Sequence, residues 1–310
     1  MKLHKRMMIF TLMLGAAMTG FVASAWADVR IFACEPEWAA LATEIGAGDV
    51  SIYTATNALQ DPHHIQARPS LIARMRRADL VIATGAQLEI GWLPVLLRQS
   101  ANPAVQPGQA GYLAAADYVH KLEVPTSVDR AQGDIHPGGN PHIQTAPNNI
   151  AIVAGVLLQR LQQIDPEHAD AYQARYNNFM GRWNTAMTRW QQQAAPLHGV
   201  RLLVYHKGWA YMIRWLGMVE AGTLEPVPGV PPTTSHLSNL LAKLKQQPVA
   251  MIVYAAYQDS RAAEWLADRA HIAAVKLPFT VGGTDAAIDL FGLYNDTIHR
   301  MLAAAGSKQP

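Results

Sequence analysis

The hydrophobic positions of the first half form short apolar runs, separated by segments with one apolar face. Short apolar runs bounded by turn residues are typical of buried strands, and helical periodicity between them is typical of βαβ units. The pattern predicts strands at Val29–Ala33, Val50–Tyr53 and Leu80–Ala83, with helices at Glu35–Ile45 and Leu71–Arg77. It therefore indicates an α/β unit with a mainly parallel sheet.

The same alternation returns in the second half of the chain. It predicts strands at Arg201–Tyr205, Val249–Tyr254 and Ala274–Leu277, with helices at Leu237–Lys245 and Glu264–Arg269. A second set of strands separated by helices predicts a second α/β unit with its own mainly parallel sheet. We therefore expect an α/β protein with two lobes.

The segment between the two halves has the strongest periodicity in the chain. It follows Pro166, which is well placed to start a helix, and we expect it to end near Pro196 and Gly199. Large apolar side chains recur there in steps of three and four residues: Tyr172, Tyr176, Phe179, Trp183, Met187 and Trp190. Such a stripe can line a cofactor, but it belongs to a packed core far more often. We predict a long rigid helix that packs against both lobes.

The first residues resemble an export signal. Lys2, Lys5 and Arg6 precede an apolar stretch from Met7 to Val22, and Ala25-Trp26-Ala27 then matches a small-residue cleavage site. An uncleaved membrane anchor is the alternative, but the apolar stretch is short for one. We predict a leader over residues 1–27, an N-terminal lobe over 28–165, a linking helix over 166–197 and a C-terminal lobe over 198–310. The predicted location is the periplasm.

Charge and cysteine content narrow the possible functions. Residues 1–27 hold three of the 25 Lys and Arg residues and none of the 23 Asp and Glu residues, so the net charge falls from +2 to −1 without them. A nearly neutral chain without a basic cluster argues against nucleic-acid binding. The single cysteine, Cys34, excludes an internal disulfide and does not directly follow the apolar stretch, as a lipid anchor requires. We interpret it as a small buried residue.

Three of the 12 histidines stand in short motifs of their own, far apart along the chain. They are His63 in Asp-Pro-His-His, His142 in Gly-Asn-Pro-His and His206 in Val-Tyr-His-Lys; a candidate carboxylate, Asp285, follows Gly-Gly-Thr. Residues this far apart can share a site only if the fold assembles it. Three imidazoles and one carboxylate form a ligand set suited to Zn²⁺. A manganese site usually has more carboxylates.

Two irregular loops carry further polar residues. Residues 133–147 are rich in glycine and proline, which is incompatible with regular structure, and they also hold Asp134 and His136. Pro226–Pro232 is a second, proline-rich loop that directly follows Glu225. His136 either belongs to a loop that captures metal or is a solvated loop residue. Glu225 is a candidate hydrogen-bond partner for a ligand histidine, since bound imidazoles usually donate their second N–H to an acceptor.

These motifs resemble those of the zinc- and manganese-binding solute receptors of bacterial ABC transporters, in particular the zinc-uptake branch. The corresponding segments, in the same order as in that family, are Asp61–Ser70, Asn140–Ile143, Tyr205–Lys207 with Trp215–Gly217, and Val281–Asp285 with Tyr294–Asp296. Asn140 is a departure, since the family usually has an acid there. The long loop rich in acids and histidines of some zinc receptors is also missing.

The resemblance implies metal binding in a cleft between two lobes. It assigns His63 and His142 to the N-terminal lobe, and His206 and Asp285 to the C-terminal lobe. Asp289 lies one helical turn beyond Asp285 and is the alternative carboxylate; we favour Asp285 because it follows the Gly282-Gly283 turn.

The remaining histidines have simpler interpretations. The family register favours His63 over His64 as the ligand, which leaves His64 as a neighbour of the site or an exposed residue. His206, on an apolar strand, has the alternative of a core histidine. His236 is a candidate helix cap, and we predict that His120, His168, His198, His271 and His299 lie on the surface.

The resulting prediction is a monomeric periplasmic zinc receptor that delivers Zn²⁺ to an ABC-transporter membrane permease and catalyses no reaction. A periplasmic metallochaperone is a further candidate partner. Ligand histidines must be deprotonated, so we expect affinity to fall as the pH drops through the imidazole range. Three alternatives stay open: a secreted zinc hydrolase, a manganese receptor and a receptor for a metal chelate. The sequence has no H-E-x-x-H helix, which argues against the hydrolase.

Overall fold

The N-terminal lobe is built on a four-stranded parallel sheet. The computed structural model describes residues 28–127, 133 and 135–306. The strands β1 (Val29–Ala33), β2 (Val50–Thr54), β3 (Leu80–Ala83) and β4 (Tyr112–Ala114) lie in the order β2-β1-β3-β4, and every neighbouring pair is parallel. The helices of this lobe are α1 (Pro36–Gly46), α2 (Pro69–Arg77), α3 (Leu93–Ser100) and α4 (Pro147–Ile164).

The C-terminal lobe repeats this topology after the linking helix α5 (Ala169–Gln193). Its strands β5 (Arg201–Val204), β6 (Val219–Thr223), β7 (Met251–Ala255) and β8 (Ala273–Leu277) lie in the order β6-β5-β7-β8, again all parallel. Its helices are α6 (Ala210–Leu216), α7 (Thr234–Leu244), α8 (Arg261–Ala270) and α9 (Leu290–Gly306). The predicted class, two α/β lobes with parallel sheets joined by a long helix, is confirmed.

The sequence pattern located the apolar strands well and the polar ones poorly. β1 and β3 have the predicted bounds. β4 has only three residues, and β6 (Val-Glu-Ala-Gly-Thr) contains a glutamate and a glycine, so neither forms an apolar run. The pattern also did not predict α3, α4 and α9. None of the described helices is long and apolar enough to cross a bilayer.

Helix α5 connects the lobes through its aromatic stripe, as predicted. It has 25 residues and is preceded by a 3₁₀ turn at Pro166–His168, so the regular helix begins three residues after the proline. The stripe is buried at Tyr172, Phe179, Trp183 and Trp190. A single apolar cluster includes these four side chains and residues of both sheets. The stripe is therefore core.

Two indole nitrogens of α5 fix the helix to opposite lobes. Trp183 Nε1 donates to the Pro147 carbonyl at the start of α4, at 2.9 Å, and Trp190 Nε1 donates to Asn295 Oδ1 of α9, at 2.7 Å. Buried tryptophan N–H groups need such partners, and each one here belongs to a different lobe. The helix is therefore hydrogen-bonded to elements of both lobes.

Candidate metal centre

Two of the three candidate histidines lie in segments that follow the carboxyl ends of parallel strands. His63 is in the loop that follows β2, and His206 lies two residues beyond the end of β5. His142 directly precedes a 3₁₀ turn at Ile143–Thr145 that leads into α4. In open α/β sheets, ligands bind in the crevice outside the carboxyl ends of the strands. The three histidines come from both lobes.

The three predicted histidines converge. Each offers a ring nitrogen, and the three nitrogens lie within 4.8 Å of one another. Their ring centres are 5.3 Å (His63–His142), 5.6 Å (His63–His206) and 5.3 Å (His142–His206) apart. A tetrahedral zinc ion with Zn–N bonds of about 2.0–2.1 Å would hold neighbouring imidazole centres about 5 Å apart. The rings are therefore spaced as zinc coordination requires.

The Nε2 atoms point at one another. His142 Nε2 and His206 Nε2 are 3.2 Å apart, and His63 Nε2 is buried without a hydrogen-bond partner among the described residues. Buried polar groups normally have partners, so an orphaned nitrogen calls for an explanation. A shared cation would satisfy all three nitrogens at once.

Two of the three imidazole rings are held by carboxylates at Nδ1, the ring nitrogen that faces away from the other histidines. His63 Nδ1 and Asp61 Oδ1 are 2.7 Å apart, as are His206 Nδ1 and Glu225 Oε2. Such pairs place the proton on Nδ1, orient the ring and leave Nε2 free to bind metal. The proposed hydrogen bond of Glu225 to a ligand histidine is thus present. Glu225 Oε2 also accepts from Gly229 N at 2.9 Å, which ties the proline-rich loop to the site.

The protonation states also suit a metal. Burial, followed by the nearby His206, His63 and His136 side chains, lowers the pKa of His142 well below its usual 6.5. Burial acts to raise the pKa of Asp61, but the hydrogen bonds and charge of His63 outweigh it and leave the pKa below 3.8. Near neutral pH, His142 is therefore neutral, as a metal-binding imidazole must be. Asp61 is ionised, as a carboxylate that accepts from a metal-binding histidine must be.

The structure does not bring Asp285 to the histidines. Asp285 is exposed and is not part of the group whose ligand atoms lie within 4.8 Å. It sits in a turn closed by hydrogen bonds from Gly282 N to the Ala287 carbonyl and from Ala287 N to the Thr284 carbonyl. Thr284 Oγ1 donates to Asp296 Oδ2 of α9, at 2.6 Å, so the turn is fastened to that helix.

The alternative carboxylate has a structural role. Asp289 Oδ1 accepts a 2.6 Å hydrogen bond from Gly292 N in the first turn of α9, which is a helix-capping interaction. Both candidates for the predicted fourth ligand therefore lie outside the group of converging ring nitrogens.

His136 lies beside this group. Its ring centre is 5.3 Å from that of His63 and 6.4 Å from that of His142. Asp134, singled out in the same loop, lies outside the described residues. His64 and His299 are exposed, and His236 Nε2 lies 2.9 Å from the Thr223 carbonyl, while Thr233 caps α7.

Sequence reasoning gave no role to two residues that shape the site. Asp61 orients His63. The sequence signal that could have revealed this is the short Asp-Pro-His turn, in which Asp61 Oδ1 also accepts from His63 N at 3.0 Å. The Phe279 ring lies 5.2 Å from the His142 ring, edge on, and follows β8 of the other lobe. No sequence signal pointed to Phe279.

A second group of ligand-type residues is buried in the N-terminal lobe. Cys34, Glu35 and Glu89 offer ligand atoms within 4.8 Å of one another. Burial and the neighbouring glutamates raise the pKa of the Cys34 thiol well above 9.0. Glu89 accepts hydrogen bonds from the Thr84 and Gly85 amides. Glu35 also accepts a hydrogen bond from Thr84 Oγ1, so both carboxylates are engaged within the lobe and we interpret this group as structural.

Comparison with known proteins identifies the family. The family described as "Zinc-uptake complex component A periplasmic" matches residues 31–304. The chain belongs to this family. Its members are metal-binding solute receptors that work with ABC-transporter permeases, and they are not enzymes.

Individual relatives are distant in sequence. The chain is 22% identical over 204 residues to the high-affinity zinc uptake system protein ZnuA of Yersinia pestis, covering 59% of this chain and 61% of that protein. It is 24% identical over 225 residues to the manganese ABC transporter substrate-binding lipoprotein PsaA of Streptococcus pneumoniae, covering 69% and 68%. The match thus spans less than two thirds of the ZnuA relative.

Solved structures share the fold. A zinc-bound ZnuA deletion mutant superposes with a TM-score of 0.75 at 22% identity, covering 92% of this chain and 100% of that one. FpvC of Pseudomonas aeruginosa in complex with Mn²⁺ superposes with a TM-score of 0.77 at 18% identity, covering 91% and 100%. Since these relatives bind different metals, membership of the zinc-uptake family leaves the metal of this chain to be argued from its own site.

Proposed function

We propose that this protein is a periplasmic zinc receptor that captures Zn²⁺ between its lobes and delivers it to a membrane permease. The observation that supports this most directly is the convergence of the His63, His142 and His206 ring nitrogens within 4.8 Å. Asp61 and Glu225 orient two of these rings. The arrangement has the form expected of metal-binding histidines held by outer hydrogen-bonding partners.

The donor atoms favour zinc. Three imidazole nitrogens suit Zn²⁺, Cu²⁺ and Ni²⁺, whereas Mn²⁺ prefers oxygen donors. The nearest carboxylates, Asp61 and Glu225, are engaged with histidine Nδ1 atoms. We therefore propose that the ion carried is Zn²⁺ and that Mn²⁺ binds more weakly.

Transport follows from the placement of the ligands in both lobes. His63 and His142 belong to the N-terminal lobe, and His206 belongs to the C-terminal lobe. An ion that contacts both lobes stabilises the arrangement in which the lobes are close together. A permease can distinguish that arrangement from the arrangement of the metal-free receptor. Export to the periplasm agrees with the leader predicted over residues 1–27 and with the periplasmic family.

The test is zinc binding by the full protein and by single variants. We expect His63→Ala, His142→Ala and His206→Ala each to weaken the Zn²⁺ affinity by orders of magnitude in isothermal titration calorimetry, since each removes a ligand. His299→Ala, a change at an exposed histidine, serves as the matched control. Unchanged affinity in the three ligand variants would contradict the proposed function.

One observation favours a second candidate, a receptor for a metal chelate. A cavity of about 460 Å³ borders His142 and His206 and is lined by Ile135, Pro226 and Val227. Its mostly apolar wall suits a small organic molecule. Mass spectrometry of the protein purified from cells distinguishes the two: bare zinc supports the first proposal, and zinc with a stoichiometric organic compound supports the second.

A further inference from the structure

The three converging histidines leave one position of a tetrahedral shell to be filled. Structural zinc sites are almost always four-coordinate with four protein ligands. Asp285 and Asp289, the carboxylates expected there, are both exposed in the segment before α9, and Asp289 accepts a hydrogen bond from Gly292 N. The fourth ligand must therefore come from another part of the molecule or from solvent.

We propose that His136 is the fourth metal ligand, so that the site consists of four imidazoles. This inference rests on the proposed function. The His136 and His63 ring centres are 5.3 Å apart, the same distance as between His63 and His142. That distance matches the separation of about 5 Å between imidazoles on one zinc ion. The fourth ring is thus already in place relative to His63.

The remaining distance is short. The ring centres of His136 and His142 are 6.4 Å apart, about 1 Å more than in the other pairs. His136 also lines the cavity that borders His142 and His206, so its side chain faces the same space as theirs. A shift of about 1 Å would bring His136 as close to His142 as the other rings are, which is the scale of a side-chain rotation at an interface.

The backbone on both sides of His136 is anchored near the site. Gly139 N donates to the His136 carbonyl at 2.9 Å, which closes a turn three residues before the ligand His142. On the other side, Gly133 lies against the proline-rich loop, where a Cβ atom would come within 2.2 Å of the Pro228 carbonyl oxygen. His136 is therefore held between a ligand segment of one lobe and a loop of the other.

A four-imidazole shell has consequences for selectivity. All four ligands are neutral nitrogen donors, so the site has no carboxylate in contact with the ion. Such a set favours Zn²⁺, Cu²⁺ and Ni²⁺ over Mn²⁺ more strongly than three imidazoles and a carboxylate do. His136→Glu replaces the fourth nitrogen with an oxygen donor and should raise the affinity for Mn²⁺ relative to that for Zn²⁺.

X-ray absorption spectroscopy at the zinc edge tests the proposal directly, because it counts imidazole ligands. We expect four imidazoles in the wild type and three in His136→Ala. Loss of an outer partner of a ligand costs about 10- to 100-fold in affinity, so loss of a ligand should weaken Zn²⁺ binding by at least as much. His120→Ala, at an exposed histidine of the same lobe, is the matched control, and thermal unfolding establishes that each variant folds.

The outcomes separate this inference from the proposed function. If His136→Ala keeps the wild-type imidazole count and affinity while Asp285→Asn weakens binding, the four-imidazole site is overturned and the receptor function stands. If His63→Ala, His142→Ala and His206→Ala also bind zinc as tightly as the wild type, the proposed function itself fails. A raised ratio of Mn²⁺ to Zn²⁺ affinity in His136→Glu supports direct contact, since a purely structural histidine would not alter it.

Discussion

Asn140 donates a 2.7 Å hydrogen bond from its amide nitrogen to the backbone carbonyl of Lys207. The bond joins the segment before His142 to the segment after His206, and so links the two lobes next to the candidate metal centre. The same amide nitrogen donates to Glu123 Oε2 at 2.9 Å, and Asn140 Oδ1 accepts from His142 N at 3.0 Å. These partners require an amide at this position, because a carboxylate could not donate either hydrogen bond.

Asn140→Asp should therefore disturb the centre. The new carboxylate would face a carbonyl oxygen and the Glu123 carboxylate, and two donated hydrogen bonds would be lost. We expect the free energy of unfolding to fall by about 1–3 kcal/mol and zinc affinity to fall with it, as measured by chemical denaturation and calorimetry. Asn148→Asp, at an exposed asparagine, is the control. Equal zinc affinity in Asn140→Asp and wild type would show that this link does not position the ligands.

Glu225→Gln keeps the size of the side chain and removes its charge. Glu225 Oε2 accepts from His206 Nδ1 and from Gly229 N, so the substitution weakens the orientation of His206 and the hold on the proline-rich loop. We expect zinc affinity to fall about 10- to 100-fold. Calorimetry on this variant and on Glu264→Gln, which changes an exposed glutamate, measures the difference. An equal effect of both substitutions would assign it to net charge alone.

Stability of the metal-free protein should depend on pH through its buried glutamates. Burial raises the pKa of Glu37 and of Glu89 from 4.5 to about 7. Between these values the folded state keeps protons that the unfolded chain has lost. The contribution of these groups to the free energy of unfolding therefore falls as the pH rises from about 4.5 to about 7.

Glu89→Gln isolates one of these groups. The neutral amide does not titrate, so we expect this variant to lose less stability than the wild type between about pH 5 and pH 7 in denaturation experiments. Glu264→Gln should keep the wild-type slope. Parallel pH profiles for Glu89→Gln and wild type would show that Glu89 is ionised throughout this range.

Trp183→Ala tests the role of the linking helix. Trp183 is fully buried, donates to the Pro147 carbonyl and packs against Phe179, Tyr294 and Phe291. Truncating a buried tryptophan costs about 3–5 kcal/mol, and we expect the thermal midpoint to fall accordingly. Ile288→Ala removes apolar surface that is 77% exposed and should change little. Comparable stability of the two variants would contradict a core role for this helix.

Patterns within short segments predicted most of the fold. The apolar runs of β1 and β3 and the aromatic stripe of α5 are each determined by burial of their own side chains, so their positions can be read from local periodicity. Strand β6 was not predicted from the sequence because Gly222 interrupts its apolar pattern and because its pairing with β5 includes an irregularity between Leu202 and Leu203. Its place in the sheet is determined by its neighbour rather than by its own composition.

For the metal site, the sequence by itself determined the chemistry of the donors: three histidines in separate motifs predict a zinc ligand set wherever the fold unites them. Only the tertiary structure decided that the ring nitrogens of His63, His142 and His206 meet within 4.8 Å. It also decided that His206 hydrogen-bonds to Glu225, and that His136 rather than Asp285 lies beside these histidines. Side-chain chemistry belongs to each residue alone, whereas distances between residues far apart in sequence depend on how both sheets and the linking helix pack together.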